Sequence, residues 1–176
     1  VATTQFSHTE SIRFRRYGAD GALLQDTTLV TDAYYGYAFD MRASATPAGG
    51  FLVAWSAKAH PGIPNFSYVR RFDANGQPQG VEFTSTYDEV GARAAVVPGR
   101  TAGLPTRRRG YQAQTTVVLL RRIDASGVQI GDVQTVEATR VPANTSMLYD
   151  VTATGEGNVG LAWTIPSSTQ SPPQVL

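Results

Sequence analysis

The side chains with chemical potential in this 176-residue chain fall into a few groups. The densest aromatic cluster is Tyr34-Tyr35-Gly36-Tyr37. A second segment, Lys58 to Phe66, carries His60, Asn65 and Phe66 among the turn formers Pro61, Gly62 and Pro64. Aromatic and polar side chains in connecting segments are candidates for a ligand surface. Tyr34, Tyr35, Tyr37, His60, Asn65 and Phe66 are therefore the candidate ligand-binding residues. A packed linker is the competing reading of the tyrosines, and a bystander role that of His60. Arginines come in pairs at 15–16, 70–71 and 121–122. Three of them meeting in space would make an anion clamp. The simpler reading is salt-bridged strand ends, with Asp73 or Asp124 as acidic partners. Trp55 and Trp163 suit core packing, with sugar stacking on their faces as the alternative.

Several chemistries find little to build on. There is no cysteine, so disulfides, thiolate metal sites and cysteine nucleophiles are excluded. The two histidines, His8 and His60, lie far apart in sequence. Asp73-Ala74-Asn75-Gly76 begins like a calcium loop but lacks the alternating acidic ligands that follow in one. The glutamates Glu10, Glu82, Glu89, Glu137 and Glu156 are scattered, with no facing carboxylate pair in evidence. No Gly-x-Ser-x-Gly elbow occurs. The expectation is no catalytic residue, no metal and no cofactor, and a chain that leans away from being an enzyme. A net charge of +1 argues against nucleic acid as partner. No apolar run reaches the ~18 residues of a membrane helix. Of 15 basic residues only Lys58 is lysine, a bias that fits a GC-rich genome.

The elements that must position these side chains repeat. Arg15-Arg16-Tyr17-Gly18-Ala19-Asp20-Gly21 recurs as Arg70-Arg71-Phe72-Asp73-Ala74-Asn75-Gly76 and as Arg121-Arg122-Ile123-Asp124-Ala125-Ser126-Gly127, at spacings of 55 and 51 residues. Between these lies a second motif, in which Thr46 to Trp55 matches Thr154 to Trp163. Each motif reads as a β-hairpin: a run rich in β-branched, aromatic and large aliphatic residues, a Gly-containing turn, then a second such run. The first-motif strands are Ile12 to Tyr17, Tyr68 to Phe72 and Val117 to Ile123, returning as Leu23 to Val30, Val81 to Thr86 and Val128 to Glu137. The second motif pairs Met41 to Ala45 with Phe51 to Trp55, and Leu148 to Ala153 with Val159 to Ile165. No segment keeps helical periodicity, so the fold class is all-β. The middle copy of the second motif is irregular. Val90 to Val97 begins it, but residues 98–112, with Arg107-Arg108-Arg109, read as a solvated insertion loop replacing a lost strand.

The pattern resembles the repeats of about 50 residues found in bacterial secreted and surface proteins, where a Gly-Gly-Phe-Val-Val-Trp-like strand precedes an Arg-Phe-Asp-Ala-x-Gly turn. The fullest match is Pro47 to Phe83. The resemblance implies four-stranded, propeller-blade-like units and an extracellular or cell-surface location in a bacterium. It names no activity. The expected organisation is one three-repeat domain over 1–166, with a hairpin at 11–31, repeats at 38–86 and 90–138, a closing hairpin at 147–165, and a flexible tail at 167–176. A β-trefoil or β-prism is the alternative. Three blades are too few for a ring of the usual 4–8, so a homo-oligomer completing the ring is one expectation. Functionally the chain reads as a non-catalytic binding module for a glycan or a surface protein. A fragment of a propeller glycoside hydrolase and a purely structural subunit are the alternatives.

Overall fold

The computed structural model describes residues 12–30, 37–46, 49–58, 65–85, 89–91, 93–96, 102–110, 115–140, 149–154 and 158–164. These residues form strands and turns with no helix, so the all-β expectation holds. The thirteen strands are β1 (Ile12–Tyr17), β2 (Leu23–Val30), β3 (Tyr37–Ala45), β4 (Phe51–Lys58), β5 (Phe66–Phe72), β6 (Pro78–Thr84), β7 (Glu89–Val90), β8 (Ala95–Val96), β9 (Ala102–Gly110), β10 (Thr115–Ile123), β11 (Gln134–Arg140), β12 (Tyr149–Ala153) and β13 (Val159–Trp163). They make four antiparallel sheets. β1–β2 and β12–β13 are separate hairpins, β3-β4-β5-β6 is a four-stranded meander, and β11-β10-β9-β7, with β8 also on β9, is five-stranded.

The three Arg-Arg motifs fold alike. In each, the first turn residue and the fifth are bonded, as in Asp73 N donating to Gln77 O at 2.9 Å, Gly18 N to Ala22 O at 2.8 Å and Asp124 N to Val128 O at 2.8 Å. The glycines that close the turns, Gly21, Gly76 and Gly127, all have positive φ, at 81, 74 and 92°. The residue before each glycine does not, so these are type I turns closed by a glycine bulge rather than primed two-residue turns. The second motif repeats in the same way: Thr46 N donates to Gly50 O at 2.8 Å and Thr154 N to Asn158 O at 2.9 Å.

Residues 102–110, the described part of the expected 98–112 loop, are a strand. β9 runs through Ala102–Gly110 and pairs over its whole length with β10, from Ala102 opposite Ile123 to Gly110 opposite Thr115. The expectation failed because it judged side chains, whereas ladder pairing uses backbone groups that every residue except Pro105 supplies in full. The apolar β10 needs a partner on both edges, and β9 and β11 provide them. The register repeats that of the neighbouring sheet. Phe51 faces Phe72 and Trp55 faces Tyr68 across β4–β5, while Ala102 faces Ile123 and Thr106 faces Leu119 across β9–β10. Thr106 thus stands where the repeat puts a tryptophan.

Other boundaries shift. Tyr37, expected in a link, opens β3, and a register irregularity between Phe39 and Arg42 accompanies a φ of 55° at Asp40. The run expected at 90–97 is split into β7 and β8 around Gly91, whose φ is 76°. The return strand expected from Val128 forms only a bridge at Gln129 before Gly131 (φ 67°) and resumes at Gln134. Among the described residues the β1–β2 and β12–β13 hairpins do not pair with each other.

The sheets stack in layers, and strand alternation decides which residue faces which layer. The odd residues of β4, Phe51, Val53, Trp55 and Ala57, pack with Phe72, Ile12 and Phe14 toward the β1–β2 hairpin. Rings stack there, with Phe14–Phe51 centroids at 4.2 Å and Phe51–Phe72 at 5.2 Å. The even residues Leu52 and Ala54 join Val69 and Phe83 against Ala94, which precedes β8, and against Val96 and Ile123 of the five-stranded sheet. In the β12–β13 hairpin, β12 lies against β8 and β9. The order is therefore hairpin, four-stranded sheet, five-stranded sheet, hairpin.

Candidate functional site

Two polar features lie between the layers. The first is a buried seam on the β7–β8 segment. Glu89, with no exposed surface, receives both guanidinium nitrogens of Arg121 at 2.5 and 2.6 Å. Around it Ser56 Oγ accepts from Gly91 N at 2.7 Å, Ser67 Oγ donates to Glu89 O at 3.1 Å, and Ser67 N donates to Ser85 Oγ at 2.8 Å. Arg93 reaches across to Asp40 at 3.0 Å, and Ser44 Oγ donates to Ala94 O at 2.5 Å. Every charge in this seam has a partner of opposite sign, as burial demands. Such a network clips one sheet to the next and leaves neither a free carboxylate nor a free serine for chemistry.

The second feature is a groove of about 530 Å³ where two turn regions approach. Its walls include Thr46, Gly50, Arg71, Asp73, Gln79 and Ser126. The close approach has a local cause. Gly80 (φ 69°) lies against the Ser126 carbonyl and Gly127 against the Val81 carbonyl, each too near for a side chain, and Val81 N donates to Ser126 O at 2.7 Å. The same arrangement recurs one layer earlier. There Gln25, the counterpart of Gly80, donates to Asn75 O, and Arg16 Nη1 donates to Ala74 O at 2.9 Å. Arg71 is the counterpart of Arg16, but its guanidinium makes no hydrogen bond or ion pair with the described residues. Asp73, beside it, accepts from Asn75 N and Gln77 N at 2.8 Å each.

The arginine pairs therefore divide their roles and do not converge. The first member takes an acid: Arg15 with Asp26 at 3.1 Å, Arg70 with Glu82 at 4.0 Å, Arg121 with Glu89. Asp73 and Asp124, the expected partners, instead hold their own turns. Hydrogen bonds from Ser126 and from the Val128 amide hold the Asp124 carboxyl below its ordinary range. Burial pushes Asp26 up, but hydrogen bonds from Arg15 and Arg13 outweigh it and leave that carboxyl lowered too.

Trp55 is fully buried and stacked on Tyr68 at 5.5 Å, so its face serves the core and not a sugar. Of the sequence-derived candidates, Tyr34, Tyr35 and His60 lie outside the described residues, as does 167–176. Tyr37 faces Lys58 and Phe66 faces Ala57 in the ladder, with Asn65 beside them. This is the end of the four-stranded sheet opposite the groove, which adjoins the Phe51–Phe72 end. The groove was not singled out from sequence. Its only linear signal is the shared Arg-Arg spacing, and nothing in it says that Arg16 is engaged and Arg71 is not. Among the described residues no three His, Asp or Glu side chains are placed to share a metal, and no helix is long and apolar enough to cross a membrane. Comparison with protein-family models, with curated proteins and with solved structures found no match for the chain.

Proposed function

We propose that the chain is a non-catalytic, extracytoplasmic binding module built of propeller-blade-like repeats, and that the Arg71 groove takes an acidic glycan. The observation that carries this reading is the half-buried Arg71 guanidinium, free of partners among the described residues, in a groove of about 530 Å³. A planar guanidinium matches a carboxylate with two parallel hydrogen bonds. Gln79 and Thr46 add neutral donors and acceptors suited to sugar hydroxyls. The blade reading is supported by the shared register of β4–β5 and β9–β10 and by the three equivalent turns. The extracytoplasmic location rests on the sequence resemblance.

The test is a glycan array followed by calorimetry with a uronic- or sialic-acid-terminated sugar. Arg71→Ala should weaken binding by about 10- to 100-fold, the worth of one charge-assisted contact. Arg122→Ala, at the exposed counterpart position, should leave it unchanged. Equal binding by the parent and Arg71→Ala would remove the groove from consideration. A sugar-silent array would remove the glycan reading.

A further inference from the structure

The Arg71 groove holds two charges of opposite sign. Arg71 and Asp73 are the charged members among the described residues that line it, and the rest, Thr46, Gly50, Gln79 and Ala125 among them, are neutral. Alternation sends the side chains of residues 71 and 73 to one side and that of Phe72 to the other. Phe72 is 1% exposed and stacks on Phe51 toward the β1–β2 hairpin. Arg71 stands opposite Leu52 in the β4–β5 ladder and opposite Gln79 in the β5–β6 ladder. Leu52 packs toward the five-stranded sheet. Both charges therefore belong to the space between the two larger sheets.

Asp73 is fixed by its own turn. Its Oδ1 accepts from Asn75 N and Gln77 N at 2.8 Å each, while its Oδ2 accepts from none of the described residues. The two amides keep the carboxylate from swinging onto Arg71, and no ion pair joins it to that guanidinium among the described residues. These hydrogen bonds need an oxygen and not a charge. The first turn does without either, since Gly18 is the counterpart of Asp73. The negative charge is thus more than the turn requires.

A ligand carboxylate that reaches Arg71 lies beside this fixed negative charge. A single carboxylate can turn toward the guanidinium and away from Asp73. A second anionic group on the same or the next sugar finds no further cation among the described lining residues and meets Asp73 instead. Repulsion placed against the wrong ligand is a general source of specificity. A groove of about 530 Å³ takes a drug-sized ligand, longer than one sugar ring, so charges on neighbouring sugars fall within it. We propose that the groove takes an acidic glycan whose carboxylate is flanked by neutral sugars, and that Asp73 is the specificity-determining residue that rejects sulfated, densely charged chains. For the accepted ligand, Asp73 Oδ2 receives a hydroxyl or an N-acyl N–H beside the carboxylate. The selection rests on the reading of the groove as an acidic-glycan site.

The test is calorimetry of the whole chain with an unsulfated chondroitin oligosaccharide and with the same oligosaccharide sulfated, ligands that differ only in the added anions. The parent should bind the unsulfated one more tightly by about fivefold or more, the worth of one like-charge contact facing water. Asp73→Asn keeps an oxygen for both turn amides and should bring the two affinities within about twofold. Asp132→Asn makes the same charge change at an exposed position outside the groove and should leave the preference intact. The parent comparison needs no variant, so it decides even where Asp73→Asn fails to fold. Equal or tighter binding of the sulfated chain by the parent overturns the proposal. So does a preference that survives in Asp73→Asn or is lost equally in Asp132→Asn. In each of these cases loss of binding in Arg71→Ala would still uphold the acidic-glycan site. If Arg71→Ala binds both oligosaccharides as the parent does, that site has failed and the selection with it.

Discussion

Glu89 sits on a two-residue strand, has no exposed surface, and is held by both nitrogens of Arg121. A buried ion pair contributes little beyond what it costs to desolvate, but losing one partner strands the other. Glu89→Ala should therefore destabilise the fold by about 3–5 kcal/mol, while Glu89→Leu combined with Arg121→Met should lose far less. Urea denaturation of both variants checks this; a single variant within about 1 kcal/mol of the parent would contradict a desolvated pair. The turn carboxylates behave differently because they face solvent. Asp124 is lowered by its Ser126 and Val128 hydrogen bonds. A lowered folded value means the unfolded chain binds the proton more readily. Its stabilisation is thus complete above the unfolded value near ~3.9 and fades as pH falls through the folded one. An NMR titration should place the Asp124 midpoint below that of a solvated aspartate, and Ser126→Ala should raise it.

At the scale of elements, the hairpins are specified by turns and the layers by what the turns touch. Gly21 and Gly127 occupy equivalent bulge positions with φ of 81° and 92°. A side chain at Gly21 would meet nothing within 4 Å, whereas one at Gly127 would collide with the Val81 carbonyl. Gly21→Ala should therefore cost only the left-handed strain, about 1–2 kcal/mol. Gly127→Ala should add about 1–3 kcal/mol of overpacking by prying the five-stranded sheet off β6. Thermal denaturation of the two variants gives the comparison, and equal shifts would mean that the turn does not bear on the neighbouring layer. The same contact forms the groove, so a substitution at Gly127 should also disturb ligand binding at Arg71, whereas one at Gly21 should not.

For the whole molecule, the layer order sets where each polar feature lies. The Arg71 groove lies between the two larger sheets, inside one copy. The β1 and β13 edges lie on the end hairpins. Arg71→Ala should change affinity without lowering the melting temperature, because its guanidinium has no partner among the described residues to lose. Polar clips between the larger sheets, Arg93 with Asp40 and Ser67 with Glu89 O, hold their stacking angle in addition to the apolar contacts. Between the β1–β2 hairpin and the four-stranded sheet that task falls to Arg16 and Gln25.

The repeated Arg-Arg-x-x-x-x-Gly turns and the paired Thr-to-Trp motifs were legible as hairpins, because turn chemistry and alternation are local. All-β character and the burial of Trp55 followed from the same local pattern. β9 was not legible, since from Ala102 to Gly110 only Leu104 and Thr106 are side chains of the kind that mark a strand. Only the unfilled edge of β10, itself a product of the fold, draws that backbone into the ladder. Nor could the sequence distinguish Arg16, which reaches the neighbouring layer's turn, from Arg71, or Asp73, taken up by the amides of its own turn, from Glu82 as the partner of an arginine. The chain by itself determined the hairpins. The tertiary structure decided which edges they fill, because strand pairing satisfies backbone groups common to every sequence and takes its partner from what the packed layers leave within reach.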